Sequence, residues 1–285
     1  MQAETHDMGT GGVKAPLEPI SYRESFDPKA VTIAASNMRH SATLGLPELM
    51  PQNMRGKCLI VGSSPSLKNQ LPVIKELAKD ETTKIFAIND ALPYLLDNGV
   101  IPYATVVFEI YGDPGVVVKR LHPEINYYVC SMCDPSTFEM LKDNKVIIWH
   151  LDSDQQEHLD LIGLFKTNFI IGGGAYTFTR TLPIAVALGF RDFEVFGVDC
   201  SYEEGGESHF FGTPEEGSME IRAEATDGTQ RLFVTKPYLA RQADEFRRIC
   251  KLNHWLFKMK VHGDGLLGWI HRSMYPQFYP QESEQ

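Results

Sequence analysis

The sequence predicts an α/β protein with a doubly wound, mainly parallel sheet and helices on both faces. Three observations carry this. Short apolar, β-branched runs such as KCLIVG (57–62), KIFAIND (84–90) and KVIIWHL (145–151) recur along the chain. Helical patterns alternate with them, so the repeating unit is strand, turn, helix. Several runs end in glycine, asparagine or aspartate at the carboxyl end of the strand, where open sheets of this kind gather ligands. The chain has 285 residues, 43% hydrophobic and 22% charged, which suits a single large domain with a sizeable core.

Residues 1–20 are rich in Gly, Pro and polar side chains and read as a flexible arm. Residues 21–54 form a helical N-terminal segment, with a helix from Asp27 to about Leu44. The main domain spans 55–271. KCLIVG is its first strand and LKNQLPVIKELAKD a helix whose first turn Pro72 shortens or kinks. KIFAIND is a strand, and ALPYLLDNG a short helix stopped by Asn98-Gly99. YATVVFE (103–109), NYYVCS (126–131) and KVIIWHL are further strands, with a helical PSTFEMLKD between the last two. After a helical DQQEHLDLIGLF comes NFIIGGGAYTFTRTLPIAVALGF, an apolar run, a glycine cluster and a helix. DFEVFGVDCSY (192–202) is again a strand followed by a polar turn.

Residues 203–233 break the rhythm. They are rich in Gly and Glu with few apolar anchors, and read as a lid or excursion over the sheet edge. From Lys236 to Lys251 the pattern is helical, WLFKMKVHG is the last strand and LLGWIHRSM the last helix, and 272–285 is a tail.

A net charge of −10 argues against bulk nucleic-acid binding, which needs a basic surface. It still permits a small phosphorylated ligand held by local amides. No apolar run approaches the roughly 20 residues of a membrane helix. The N-terminus lacks the basic and apolar regions of a secretory signal. Five cysteines make no disulfide scaffold, and Cys130 and Cys133 form a lone C-x-x-C at a buried strand end. The expected compartment is the reducing cytoplasm.

Three loops invite a chemical reading. In GSSPSL (62–67), Ser64 suits an N-cap and Pro65 the first helical position. The amides of Ser66 and Leu67 would then lie open to an anion in the first turn. Gly62 would let the backbone approach a phosphate, and Ser63 and Ser64 would add hydroxyl donors. A capped junction with no ligand is the other reading of this stretch. In AIND, Asn89 offers the paired donor and acceptor that a base or pterin edge requires. Asp90 and Glu109, at successive strand ends, are candidate Mg²⁺ ligands, as is Asp199; an ordinary helix cap and solvated acids are the alternatives.

The third loop, GGGAYT (172–177), places Gly172, Gly173 and Gly174 between strand and helix. It is no G-x-G-x-x-G, since the sixth position is Thr177, and neither glycine turn carries a Walker A lysine. The expectation is a nucleotide-like ligand held by two glycine turns without a P-loop. Asp199 closes FGVDCSY and His209 follows in ESHFFG of the lid; an Asp at a strand end facing a lid histidine would polarise it as a general base. An Asx turn and a surface histidine are the bland alternative. WHLDSDQQEH (149–158) follows no ligand spacing and reads as a solvated helix start.

These motifs resemble, in order, those of the 6-hydroxymethylpterin diphosphokinase MptE-like family, which includes bacterial flagellar motility accessory factors. LIVGSSPSL is similar to the family's GxGPSL turn, and IFAINDALPYLLDNGVIPYATVVFEI to its strand, short helix and strand-end acid. GGGAYTFTRTLPIAVALGFRDFEVFGVDCSY, DGTQRLFVTKPYLARQADEF and KVHGDGLLGWI resemble its later segments, so the likeness runs from about Arg55 to Ile270. It implies a Rossmann-like transferase domain for a nucleotide or other diphosphate-activated donor. Members similar to the archaeal enzyme move diphosphate from ATP to a pterin alcohol with Mg²⁺, and the motility factors are associated with nonulosonic acid transfer from a CMP donor. SHFFG also echoes the SHYIG lid of bacterial sialyltransferases that share the turn. Three departures stand out: Ser64 replaces a glycine, Pro102-Tyr103 replaces a Pro-Asp, and Glu109 replaces an aspartate.

The favoured reading is therefore an MptE-like transferase carrying out Mg²⁺-dependent diphosphate transfer, from ATP first, to a small hydroxymethyl acceptor. Gly62, Ser63, Ser64, Ser66, Leu67 and Gly172 to Gly174 would cradle phosphates and Asn89 would read the ring. Asp90 and Glu109 would hold the metal, and His209 with Asp199 would serve catalysis. The alternatives are a CMP-sugar glycosyltransferase and a non-catalytic nucleotide-binding module. The acceptor is open, and a homo-oligomer is compatible with the sequence.

Overall fold

The computed structural model describes residues 28–279 apart from 114, 116–117, 173, 203–216, 226 and 254–255. A helix, α1 (Pro28–Thr43), precedes the sheet. The chain then runs through β1 (Lys57–Val61), α2 (Leu67–Leu77), β2 (Lys84–Ala87), α3 (Ala91–Asp97), β3 (Ala104–Val107) and β4 (Asn126–Cys130). It continues through α4 (Pro135–Met140), β5 (Lys145–Leu151), α5 (Gln156–Ile162), β6 (Ile170–Ile171), α6 (Thr177–Ala187) and β7 (Asp192–Phe196). The last elements are β8 (Met219–Glu224), β9 (Gln230–Thr235), α7 (Pro237–Asn253), β10 (Lys258–Val261) and α8 (Leu266–Met274).

Eight strands form one sheet in the order β10-β7-β1-β2-β3-β4-β5-β6, and every pairing in it is parallel. From β1 the chain steps outward strand by strand to β6, then returns to lay β7 on the other side of β1. The strand order therefore reverses between β1 and β7, and a crevice opens there at the carboxyl ends of the strands.

Strands covered on both faces bury nearly every side chain, which is why they read as unbroken apolar runs. Cys58, Leu59, Ile60 and Val61 of β1 are all 0% exposed. Phe86 packs between the rings of Tyr128, Tyr103 and Phe190, and the Trp149 indole donates to the Tyr128 carbonyl at 3.1 Å. Among the described residues no helix is long and apolar enough to cross a membrane.

The N-terminal segment is more than a helical preface. Buried Asn37 of α1 donates to the carbonyls of Ile110 and Met132, tying α1 to the loops after β3 and β4. Beyond α1 the chain extends alongside β5: Leu49 N donates to Ile148 O, and Ile148 N to Pro47 O. Pro72 does not break α2, which continues through it to Leu77.

The excursion after β7 also differs from the expectation. Its described part is an antiparallel hairpin, β8–β9, with Met219 opposite Thr235. The hairpin does have anchors: Ala223, Phe233 and Thr235 are buried, and the Phe233 ring meets Trp269 of α8 edge-on. Charged neighbours in MEIRAE and QRLFVT hide this alternation when the stretch is read as composition. Residues 203–216, His209 among them, lie outside the described residues.

Candidate functional site

The turn after β1 is built on the turn after β7. Gly62 N donates to Phe196 O and Ser64 N to Gly197 O, both at 2.8 Å. A Cβ at Gly62 would lie 2.5 Å from Gly197 O, and one at Gly197, which has φ +60°, would lie 2.3 Å from Gly62 O. The glycine at 62 thus serves contact between two backbones of the protein itself.

Ser64 and Ser66 are likewise turned inward. The Ser64 hydroxyl accepts from Asp199 N at 3.0 Å instead of capping α2. Ser66 donates to the Asp199 carboxylate twice, through its hydroxyl at 2.7 Å and its amide at 3.3 Å. Leu67 N donates to Ser64 O at 3.0 Å, and Leu67 is fully buried. The two amides expected to be open are therefore engaged, because a strand-end carboxylate from β7 already occupies the positive end of α2.

The second glycine turn repeats this arrangement. Gly174 has φ +91°, and a Cβ there would lie 2.6 Å from the Thr179 carbonyl carbon, so close approach serves packing onto α6. The Glu245 carboxylate accepts from Ala175 N at 2.7 Å and from the Thr179 hydroxyl at 2.6 Å. The Arg180 guanidinium donates to Gly174 O and lies 3.9 Å from the Phe108 ring. A Cβ at Gly172 would meet the Asp152 carboxylate at an ordinary 3.5 Å, and Gly173 lies outside the described residues.

What these turns enclose is a cavity of about 250 Å³ at the point where strand order reverses. Gly62, Ser63, Ser64 and Asn89 line it, as do Tyr176, Thr177 and Phe178 at the start of α6 and Tyr238 and Gln242 of α7. The first intrahelical bond of α6 runs from Arg180 N to Tyr176 O, so the amides of Thr177 and Phe178 precede it. Sequence reasoning looked at the glycines and missed Thr177 and Phe178, although a helix start after a strand is the same signal used for Ser66. Nothing in the sequence marks Tyr238 or Gln242.

Two non-glycine residues have positive φ among the described residues, Asn89 at +49° and Cys200 at +54°, and both line this cavity. Asparagine tolerates that region; a cysteine there stores strain of about 1–3 kcal/mol, which commonly accumulates at functional sites. The Asn89 Oδ1 atom is buried without a hydrogen-bond partner. Burial, and then the charge of Asp199, pushes the Cys200 thiol well above its usual range, so it is no nucleophile. Cys130 and Cys133 are buried thiols of raised pKa, that of Cys130 pushed up to about 12 by burial.

The metal candidates do not converge on this cavity. Asp90 is paired with Lys119 at 2.6 Å, and Glu109 accepts from Tyr111 N at 2.7 Å. Asp199 is the partner of Ser66, and among the described residues no carboxylate lines the cavity. Among the described residues no group of three or more His, Cys, Asp or Glu side chains is placed to hold a metal ion. The stretch 149–158 is corrected too. His158 is buried between Ser153 Oγ at 2.9 Å and Val31 O at 3.0 Å, and His150 is buried 3.8 Å from Glu48, so neither is solvated.

Comparison with known proteins places this geometry in context. A family model described as "6-hydroxymethylpterin diphosphokinase MptE-like" matches residues 34–205, more than half of the chain. Among solved structures, the chain is similar to a MAf glycosyltransferase from Magnetospirillum magneticum AMB-1, with a TM-score of 0.61 and 19% identity. That likeness covers 82% of this chain and 37% of the other, and shows the shared fold. No curated protein matches the sequence.

Proposed function

The chain belongs to the 6-hydroxymethylpterin diphosphokinase MptE-like family, and from that premise we propose that it is a transferase taking a nucleotide-activated donor in the cavity between β1 and β7. The observation that carries this is the convergence of Ser63, Asn89 and the start of α6, three separate parts of the chain, on one crevice at the reversal of strand order. The amides of Thr177 and Phe178 and the Ser63 hydroxyl would receive a phosphate, aided by the dipole of α6. The carboxamide of Asn89, whose oxygen is unpartnered, would read the base edge. Ligand cavities usually start at about 300 Å³, so this one suits the nucleotide moiety of a donor and leaves the transferred group outside.

Between the two reactions the family suggests, the geometry favours glycosyl transfer from a CMP-sugar. Mg²⁺-dependent diphosphate transfer from ATP needs one or two carboxylates beside the phosphates to carry the ion. Among the described residues the cavity has none, and Asp90 and Glu109 are engaged elsewhere. Neutralisation by fixed amides fits a donor whose leaving group is a single nucleotide phosphate. The fold shared with the MAf glycosyltransferase is compatible with this reading.

Thermal melting with CMP, CDP, ATP and GTP, with Mg²⁺ and with EDTA, tests both parts. At about 100 times Kd a native-state ligand adds about 2.7 kcal/mol, a rise of several degrees for a chain of this size. A rise with CMP that survives EDTA is the expected result. A rise only with ATP and Mg²⁺ would restore diphosphate transfer, and no rise with any nucleotide would remove the donor site.

A further inference from the structure

Tyr238 and Gln242, one turn apart on α7, both line the cavity between β1 and β7. Glu245, a turn further along the same helix, accepts from Ala175 N and the Thr179 hydroxyl, which pins α7 to the start of α6. Gln242 thus stands on a helix fixed to the site it lines.

The Gln242 carboxamide is itself held. Its Nε2 donates to Cys200 Sγ at 3.5 Å, and its Oε1 has no hydrogen-bond partner among the described residues. Cys200 is 2% exposed, lines the same cavity and has φ +54°. Bonds on either side keep it there. Asp199 N donates to Ser64 Oγ at 3.0 Å, the Thr235 hydroxyl to Cys200 O at 2.7 Å, and Tyr202 N to Val234 O at 2.8 Å. Glycine would take that φ without strain, so a side chain kept at this position has a use, and here it anchors Gln242.

Asn89 brings a second carboxamide to the cavity, and its Oδ1 is also unpartnered. Two acceptors left without a donor match a ligand edge that donates twice, as an exocyclic amino group does. Cytosine carries such a group, whereas uracil, of equal size, sets a carbonyl oxygen in the same place. That oxygen would meet the carboxamide oxygens acceptor to acceptor.

We propose that Gln242, positioned by Cys200, selects the base of the donor nucleotide and takes an amino-bearing pyrimidine over the keto pyrimidine of equal size; the proposal rests on the donor reading above. Gln242 Oε1 and Asn89 Oδ1 each accept one N–H of the amino group. Cys200 acts through Gln242: its sulfur engages Nε2, so the carboxamide oxygen is the atom presented to the base.

Titration calorimetry with CMP and with UMP tests this, first on the parent, which needs no variant to fold. The parent should bind CMP about tenfold tighter than UMP or better, because a buried acceptor is left unpaired by the wrong base. Gln242→Leu should cut that ratio severalfold, while Gln242→Glu, which keeps an acceptor oxygen, should retain a preference for CMP. Cys200→Gly, which keeps the backbone conformation without the sulfur, should lower the ratio in the parent and lower it no further beside Gln242→Leu. Melting curves show which variants are folded. Equal affinity for CMP and UMP in the parent, or an unchanged ratio in folded Gln242→Leu, overturns the base selection and leaves the donor site standing. An unchanged ratio in Cys200→Gly overturns the positioning role of Cys200. Binding of neither nucleotide removes the donor reading, and the selection with it.

Discussion

The amide and the hydroxyl of Ser66 both point at the carboxylate of Asp199, so the first turn of α2 carries its own anion. The residues are 133 apart in sequence, yet their pairing engages the amide and the hydroxyl at the start of α2. The start of α6 carries a carboxylate as well, Glu245, on Ala175 N and the Thr179 hydroxyl, and it is Tyr176, Thr177 and Phe178 that line the crevice there. Asp199→Ala should therefore cost about 1–3 kcal/mol, through unpaired Ser66 donors and a lost charge at the helix start. Urea unfolding measures this directly. A cost below about 0.5 kcal/mol would show that Ser66 finds other partners and that the carboxylate is not structural.

Gly62 and Gly197 form the second constraint, since each blocks a Cβ on the other at 2.5 and 2.3 Å. Gly62→Ala should destabilise the protein by about 1–3 kcal/mol even without any ligand, through overpacking against backbone. Full parent stability in a melting experiment would mean the strands can separate there, and would return Gly62 to a purely ligand-facing role.

Asn89 allows backbone and chemistry to be separated. With φ at +49°, Asn89→Gly keeps the conformation while removing the carboxamide. Its melting temperature should stay near that of the parent while calorimetric affinity for CMP falls about tenfold. Asn89→Val, strained in the left-handed region, should lose stability by about 1–2 kcal/mol. Unchanged CMP affinity in Asn89→Gly would take the residue out of base recognition.

Acid stability has its own marker in Glu194. Burial acts to raise its pKa, but hydrogen bonds from His262 at 2.7 Å and from Lys57 at 2.5 Å overcome this and pull it from 4.5 to about 2. A depressed carboxyl stabilises the folded state above its unfolded pKa, and that contribution is lost as pH falls from 4.5 to about 2. Glu194→Gln should cost on the order of 3 kcal/mol at neutral pH, with the gap from the parent closing across that acid range. A gap that stays constant with pH would show that the ion pairs carry no such linkage.

Much of the fold was legible because parallel strands buried on both faces leave a signal that needs no partner to be read. KCLIV and KVIIWHL announce themselves as apolar runs, and Asn98-Gly99 stops α3 where expected. The hairpin β8–β9 was not legible, since its anchors, Ala223, Phe233 and Thr235 with half-buried Ile221, are few and charged residues flank them. The extended piece at 47–49 escaped for a similar reason: it gains its pairing from β5, far along the chain.

By itself the sequence determined the alternation of strands and helices, the family, and the three loops that come together at one end of the sheet. Local periodicity and turn chemistry suffice for that, because they act over a few neighbouring residues. Only the tertiary structure decided which groups each loop engages. Whether an amide at Ser66 or Ala175 is open depends on a carboxylate from β7 or α7 that chain order cannot place beside it. Whether Gly62 yields to a ligand depends on the backbone of Gly197 across the pairing of β1 with β7. Buried donors must find acceptors and backbones must not overlap, and these are conditions on distance in space, which a linear sequence leaves open.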